Sequence, residues 1–296
     1  VAATGSSQAE GVVPTPAVVD VAAAAKPRPR SELLLRALRP LLDALVGVLG
    51  RTGVHPHAIV LTHAGLGVVA ALLIALGPTG WLWAALLLQV KMLLDNLDGG
   101  VARATGRITR TGRYLDSVLD TLVNLLLFAA LALQGPGAWA WPLAALAALV
   151  LMLVLSLDFN LEQRYKALRS TAAGRVPAEP IGAPVQVYQL LRGAYEALLG
   201  PQDRLLARAD EALFERLAGQ RYDRAPLDVR LAWSDLFSTA TLVNLGLSTQ
   251  LLLLGLCLVL DVPFAYVWFV LASGLYVLAV QALRVWRFLR YLQVRA

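Results

Sequence analysis

Thr121–Leu157 reads TLVNLLLFAALALQGPGAWAWPLAALAALVLMLVLSL, a run without a single charged residue. Two other runs resemble it. His57–Val90 carries no Asp, Glu, Lys or Arg, and Phe237–Gln281 is interrupted only by Asp261. Each is long enough for one or two membrane crossings of roughly 20 residues. Divided at their Gly, Pro and Trp breaks, they give six transmembrane helices at about 58–77, 81–100, 113–133, 138–157, 237–259 and 263–284. The whole chain agrees with this reading. It is 58% hydrophobic and 16% charged, where a soluble domain carries about 25% charged residues, and its mean hydropathy is +0.63. The expected fold is an all-α integral membrane protein.

Charge orients the spans. The short loops Gly77–Gly80, Gln134–Gly137 and Leu260–Pro263 hold none of the 26 Lys and Arg residues. These lie before the first span, around the second-to-third junction, after the fourth span, and at the end of the sixth. The positive-inside rule then puts both termini and both basic loops in the cytoplasm, at the cell membrane. Trp81, Trp83, Trp139, Trp141 and Trp268 fall towards the outer ends, and Trp233 and Trp286 towards the inner ends, as interfacial belts. A net charge of +6 could serve nucleic acid. Here it borders apolar spans with no nucleic-acid module, so anionic headgroups or phosphate substrates fit it better. The single cysteine, Cys257, forms no intrachain disulfide and reads as a small buried hydrophobe.

Outside the spans, residues 1–31 read as a disordered N-terminal tail, and residues 32–296 as one catalytic domain. Leu34, Leu38, Leu41, Leu42, Leu45, Val48 and Leu49 share one helical face. That stripe fits either an amphipathic helix lying in the inner interface or a helix packed on protein. Residues 158–235 form a polar cytoplasmic insertion with two helical stretches, Val185–Leu199 and Asp203–Leu217, separated by Gly200-Pro201 and closed by Gly219. A lid, a dimer contact and a spacer are all open to it.

The chemistry concentrates between the second and third spans: Asp95-Asn96-Leu97-Asp98-Gly99-Gly100-Val101-Ala102-Arg103, eight further residues to Gly112, then Arg113-Tyr114-Leu115-Asp116-Ser117-Val118-Leu119-Asp120. Carboxylates bordering membrane spans are costly and read as functional by default. Asp95 and Asp98 are spaced to share one helix face, as are Asp116 and Asp120. Two such faces joined by a short basic turn can converge. Converging carboxylates repel unless cations sit between them, and oxygen-only ligands suit Mg²⁺ or Mn²⁺. A pair of such ions would clamp the oxygens of a displacement at phosphorus. Gly99 leaves room for a diphosphate, and Arg103 can meet its oxygens. These residues point to phosphoryl transfer. An ion path fits less well, because the aspartates cluster at one face, no span carries a midplane charge, and none is plainly broken there. A scaffold that has kept the motif without activity is the other alternative. His55, His57 and His63 read as interface contacts and not as a metal cluster.

The pattern Asp-x2-Asp-Gly-x2-Ala-Arg-x8-Gly-x3-Asp-x3-Asp resembles the complete motif of the CDP-alcohol phosphotransferase (CDP-alcohol phosphatidyltransferase) family, with every position filled. The resemblance implies a homodimeric, metal-dependent membrane enzyme of phospholipid biosynthesis. Such an enzyme joins an alcohol to a substituted phosphoryl group from a CDP-linked donor and releases CMP; the donor is CDP-diacylglycerol or, as the alternative, a soluble CDP-alcohol with a lipid or polyol acceptor. It implies Asp95, Asp98 and Asp116 as metal ligands, with Asp120 both ligand and general base. Gly99, Ala102 and Arg103 would hold the diphosphate, Gly112 would shape the turn, and Thr109 would reach the nucleotide. Arg107, Arg110 and Arg113 would either bind a phosphorylated acceptor, such as glycerol phosphate or inositol phosphate, or anchor the inner face. One position departs from the pattern. Where the family commonly has Pro-Asn followed shortly by Thr, this chain has Pro56-His57 and then Thr62.

Overall fold

The computed structural model describes residues 32–169 and 180–295. The described residues form eleven α-helices and no strand. The tail expected over residues 1–31 lies outside them. In order, the helices are α1 (Leu33–Thr52), α2 (Pro56–Ala75), α3 (Pro78–Ala104), α4 (Arg110–Leu133), α5 (Ala140–Arg169), α6 (Val185–Leu198), α7 (Gly200–Ala218), α8 (Leu227–Trp233), α9 (Leu236–Leu242), α10 (Leu247–Val259) and α11 (Ala265–Arg295).

Five stretches are long and apolar enough to cross a membrane: α2, α4, α5, α11 and the run Leu227–Val259. Six spans were expected. The sixth corresponds to α3, which has the length, 27 residues, or roughly 40 Å. It falls short in hydropathy because Gln89, Lys91, Asp95 and Asp98 all lie along it. Lys91 sits midway along α3. The expected fifth span is also not one helix. Val243–Leu245 forms a 3-10 turn and Gly246 is extended, which divides α9 from α10. The stretch carries no charge, so a reading by charge passes over the break, although Asn244, Ser248, Thr249 and Gln250 flank it.

α2, α3 and α4 form the tightest part of the bundle, with α10 on the far side of α3 and α5 on the far side of α4. Their buried positions are rich in small residues: Ala64, Gly67, Ala70 and Ala71 of α2, and Ala84 and Ala85 of α3. In lipid, helices associate by close van der Waals packing, so small residues that let backbones approach are favourable. Around this seam Ile74, Leu131, Leu151, Leu254 and Val270 complete the core. Leu72, Leu82, Leu86, Leu275 and Leu278 are exposed on the outside, where lipid would cover them. Trp83, Trp139, Trp141, Trp268 and Trp286 are likewise exposed. Trp81 and Trp233 depart from the expected belts. Trp81 is buried and donates its indole N–H to the Ile74 carbonyl at 3.3 Å, and Trp233 is wholly buried under α11. Cys257 is half-buried against the core.

α1 lays Leu34 and Leu38 on the main core and Leu42, Leu45, Val46 and Leu49 on a second cluster with Leu97 and Val101 of α3. Much of its apolar stripe is therefore spent on protein, although Leu41 and Val48 remain exposed.

The insertion begins later than the sequence suggests. α5 continues through residues 158–169 to Arg169, because charges end an apolar run without ending a helix. α6 and α7 follow close to the expected bounds, and α7 stops at Gly219 in the left-handed region (φ 65°). α6 folds back on α4 and α7 on α5. Phe214, Val229, Trp233 and Phe288 lock α7 and α8 beneath the end of α11.

Candidate active site

α3 ends and α4 begins at the basic side of the bundle. Between them Thr109 caps α4, its hydroxyl accepting the Gly112 N–H at 3.0 Å, which satisfies one of the free donors of the first turn. The turn brings the carboxylate-bearing ends of both helices together. Asp95 and Asp98 of α3 and Asp116 and Asp120 of α4 converge on one side chain from α2, His63. Its Nε2 lies 3.3 Å from Asp98 Oδ2, 3.6 Å from Asp116 Oδ1 and 3.9 Å from Asp95 Oδ1. Its Nδ1 lies 3.9 Å from Asp120 Oδ1. His63 is fully buried. The sequence assigned it to interface contacts, and that reading is corrected here: it stands at the centre of the aspartates. Nothing in the local sequence signals this, because α2 approaches only through tertiary packing.

A second buried cation was also missed. Lys91 Nζ lies 2.7 Å from Asp120 Oδ1 and 4.0 Å from Asp95 Oδ1, with no exposure of its side chain. A signal for it existed, since Lys91 precedes Asp95 by four residues and so shares its helix face. Gly67 of α2 makes the space: a Cβ there would stand 3.2 Å from Cδ and Cε of Lys91.

The remaining motif residues surround this centre. The Arg103 guanidinium lies over Gly99, where a Cβ would come within 3.0 Å of Nη1. Ala102 is half-buried beside it on α3. His57 Nε2 is 3.1 Å from Thr109 Oγ1, and a Cβ on Gly112 would fall 2.9 Å from the same nitrogen. His57, Thr109 and Gly112 thus form a knot tying α2 to the start of α4. The arginines do not all gather at the aspartates. Arg107 donates to the Gly53 carbonyl at 3.2 Å, towards α1, while Arg110 and Arg113 stand in the first turn of α4. That turn is bound from outside. The Arg110 N–H bonds to the Pro180 carbonyl, and both the N–H and the hydroxyl of Thr111 bond to the Ile181 carbonyl.

A cavity of about 220 Å³ opens beside Asp116 and Asp120. Leu125, Phe128, Leu151 and Leu155 line its apolar part, and Tyr195 and Asp203 of the insertion close one end. The Tyr195 hydroxyl donates to Asp203 at 3.0 Å. Burial and that carboxylate push the phenol above its ordinary pKa. Ser156 of α5 also donates to Asp203.

The residues present fit a hard divalent cation. His63, Asp98 and Asp116 offer ligand atoms within 4.8 Å of one another, as do His63, Asp95 and Asp120. Asp116 Oδ1 is buried without a hydrogen-bond partner, and such an atom is costly unless something positive meets it. Carboxylate oxygens in this number suit Mg²⁺ or Mn²⁺.

Residues 54–199 match the family model described as CDP-alcohol phosphatidyltransferase. The chain is 36% identical over 107 residues to a phosphatidylinositol phosphate synthase of Cutibacterium acnes, covering 34% of this chain and 48% of that protein. It is 37% identical over 100 residues to the inner membrane protein YnjF of Escherichia coli, covering 33% and 47%. An archaetidylinositol phosphate synthase of Pyrococcus horikoshii is 41% identical over 56 residues, covering 19% and 30%. The matches span about half the length of these relatives or less.

Proposed function

With a CDP-alcohol phosphatidyltransferase domain at residues 54–199 as the premise, we propose that this protein transfers a phosphatidyl group from CDP-diacylglycerol to the hydroxyl of an alcohol, releasing CMP. The observation that carries the reading is the convergence of Asp95, Asp98, Asp116 and Asp120 from two helices around one buried point. Two relatives bear the names of inositol phosphate lipid synthases, which favours inositol phosphate over glycerol phosphate as the acceptor.

In this reading Asp120 takes the proton of the acceptor hydroxyl. The freed oxygen forms a bond to the β-phosphorus, the bond from that phosphorus to the CMP oxygen breaks, and CMP leaves with the electron pair. Arg103, beside Gly99 and Ala102, holds diphosphate oxygens, and Thr109 and Gly112 shape the nucleotide end of the site. Asp95, Asp98, Asp116 and Asp120 would hold two Mg²⁺ or Mn²⁺ ions, which when bound supply positive charge to the phosphate oxygens. Arg113 and Arg110, at the start of α4, are the better placed of the three arginines to meet an acceptor phosphate, since Arg107 turns to Gly53. We place α3 as a sixth crossing, lined by partner helices where it is polar, and α1 at the inner interface. The termini and the site then face the cytoplasm, where the basic loops lie. A homodimer is part of the same reading.

The test is CMP release by the purified chain in detergent with CDP-diacylglycerol and Mg²⁺ or Mn²⁺, each candidate alcohol added singly. Acceptor-dependent CMP from the wild type, absent from Asp120→Asn, supports the reading and names the acceptor. Neither CMP release nor metal-dependent binding of CDP-diacylglycerol sinks it.

A further inference from the structure

The aspartates differ in their neighbours more than in their depth: Asp98, Asp120 and Asp95 are 8%, 16% and 17% exposed at their side chains, and Asp116 is 38% exposed. Lys91 lies one helical turn before Asp95 and is wholly enclosed. Its ammonium therefore closes one side of the cluster, against Asp120 and Asp95. No ion pair joins it to Asp98 among the described residues. Asp98 and Asp116 have the nearer approach to His63, 3.3 and 3.6 Å from Nε2. The lysine is accommodated by the neighbouring helix, since any side chain at Gly67 would press on its stem.

Resting on the reading of these aspartates as metal ligands, we propose that Lys91 is a built-in counter-cation that makes the two metal positions unequal and orders their filling. An ion at Asp98, Asp116 and His63 gains two carboxylates without the ammonium beside them. An ion at Asp95, Asp120 and His63 must share both carboxylates with a positive charge already in contact. Like charges this close, away from bulk water, repel strongly. The position away from Lys91 fills first. The position beside Lys91 fills when the donor's diphosphate adds its negative charges, so the enzyme completes its metal set only with substrate in place. Lys91 also holds Asp120 by an ion pair, and so acts as a positioning residue for the base.

The test counts Mn²⁺ bound by the full chain in detergent, from the electron paramagnetic resonance signal of the free ion, with and without CDP-diacylglycerol. The wild type is expected to bind one ion tightly without the donor and two with it, the two affinities without donor differing by more than about tenfold. Lys91→Met is expected to bring the second ion within about tenfold of the first without donor, and Lys91→Arg to keep the gap. Two equal ions on the donor-free wild type overturn the proposal, even if Lys91→Met fails to fold. So does an unchanged gap in a folded Lys91→Met. If the wild type binds no Mn²⁺ under either condition, the metal-ligand reading of the aspartates itself falls, a result distinct from either of those.

Discussion

Two buried knots of charge lie in this molecule, one between α2, α3 and α4 and the other around Asp210 between α5, α7 and α11. At Asp210 every charge is met. Arg284 donates to Oδ1 at 2.6 Å, Arg164 and the Trp233 indole N–H donate to Oδ2, and Arg284 also donates to the Trp233 carbonyl at 3.0 Å. The Arg284 guanidinium lies 4.0 Å from the centroid of the Trp233 ring. In the aspartate cluster four carboxylates converge on His63, and among the described residues Asp116 Oδ1 and His63 Nδ1 have no hydrogen-bond partner. A closed network fastens an insertion to a bundle. An open one, with four carboxylates crowded together, leaves a place for something else to bind.

The comparison can be broken by removing one carboxylate from each knot. Asp98→Asn should lower acceptor-dependent CMP release by about 10,000-fold, since both metal charge and proton transfer depend on that centre. Its thermal midpoint in chelator should stay level or rise, because a repelling charge has gone. Loss of stability with unchanged turnover would reverse the assignment. Asp210→Ala should do the opposite. It strips the partner from Arg284, which is almost fully buried, and should cost about 3–5 kcal/mol of stability. The surviving folded enzyme should keep its turnover, measured as activity per molecule after thermal challenge. The smallest effect sharpens the boundary between the two regions. Tyr195→Phe deletes the bond to Asp203 and should cost about 1 kcal/mol, read as a lowered unfolding midpoint. A much larger loss would mean that the insertion depends on that one bond for its seat on α4 and α5.

Much of this was legible in the sequence, and the misses share a cause. Asp95, Asp98, Asp116 and Asp120 were readable because their spacing within two adjacent helices is a local property. The ends of α6 and α7 were readable from Gly200-Pro201 and Gly219. His63 was not, because only the packing of α2 on α3 and α4 carries it to the carboxylates. Lys91 was half-legible: its register with Asp95 was visible, but its contact with Asp120 depends on how α4 packs. The break at Gly246 was passed over because the stretch carries no charge, although Asn244 and Ser248-Thr249-Gln250 flank it. Trp233, grouped with belt residues by its position, turned out to be the centre of the insertion's own core because Phe214 and Phe288 enclose it.

The two peptide groups of α4 bonded to Pro180 and Ile181 have a mechanical consequence. They attach the chain leading into α6 to the first turn of the helix that bears Asp116 and Asp120, while α6 itself rests on the same helix. Force applied to the hairpin has a short, stiff path to the aspartates. A molecule that gripped α6 or α7 would have a handle on the reacting centre without ever entering it.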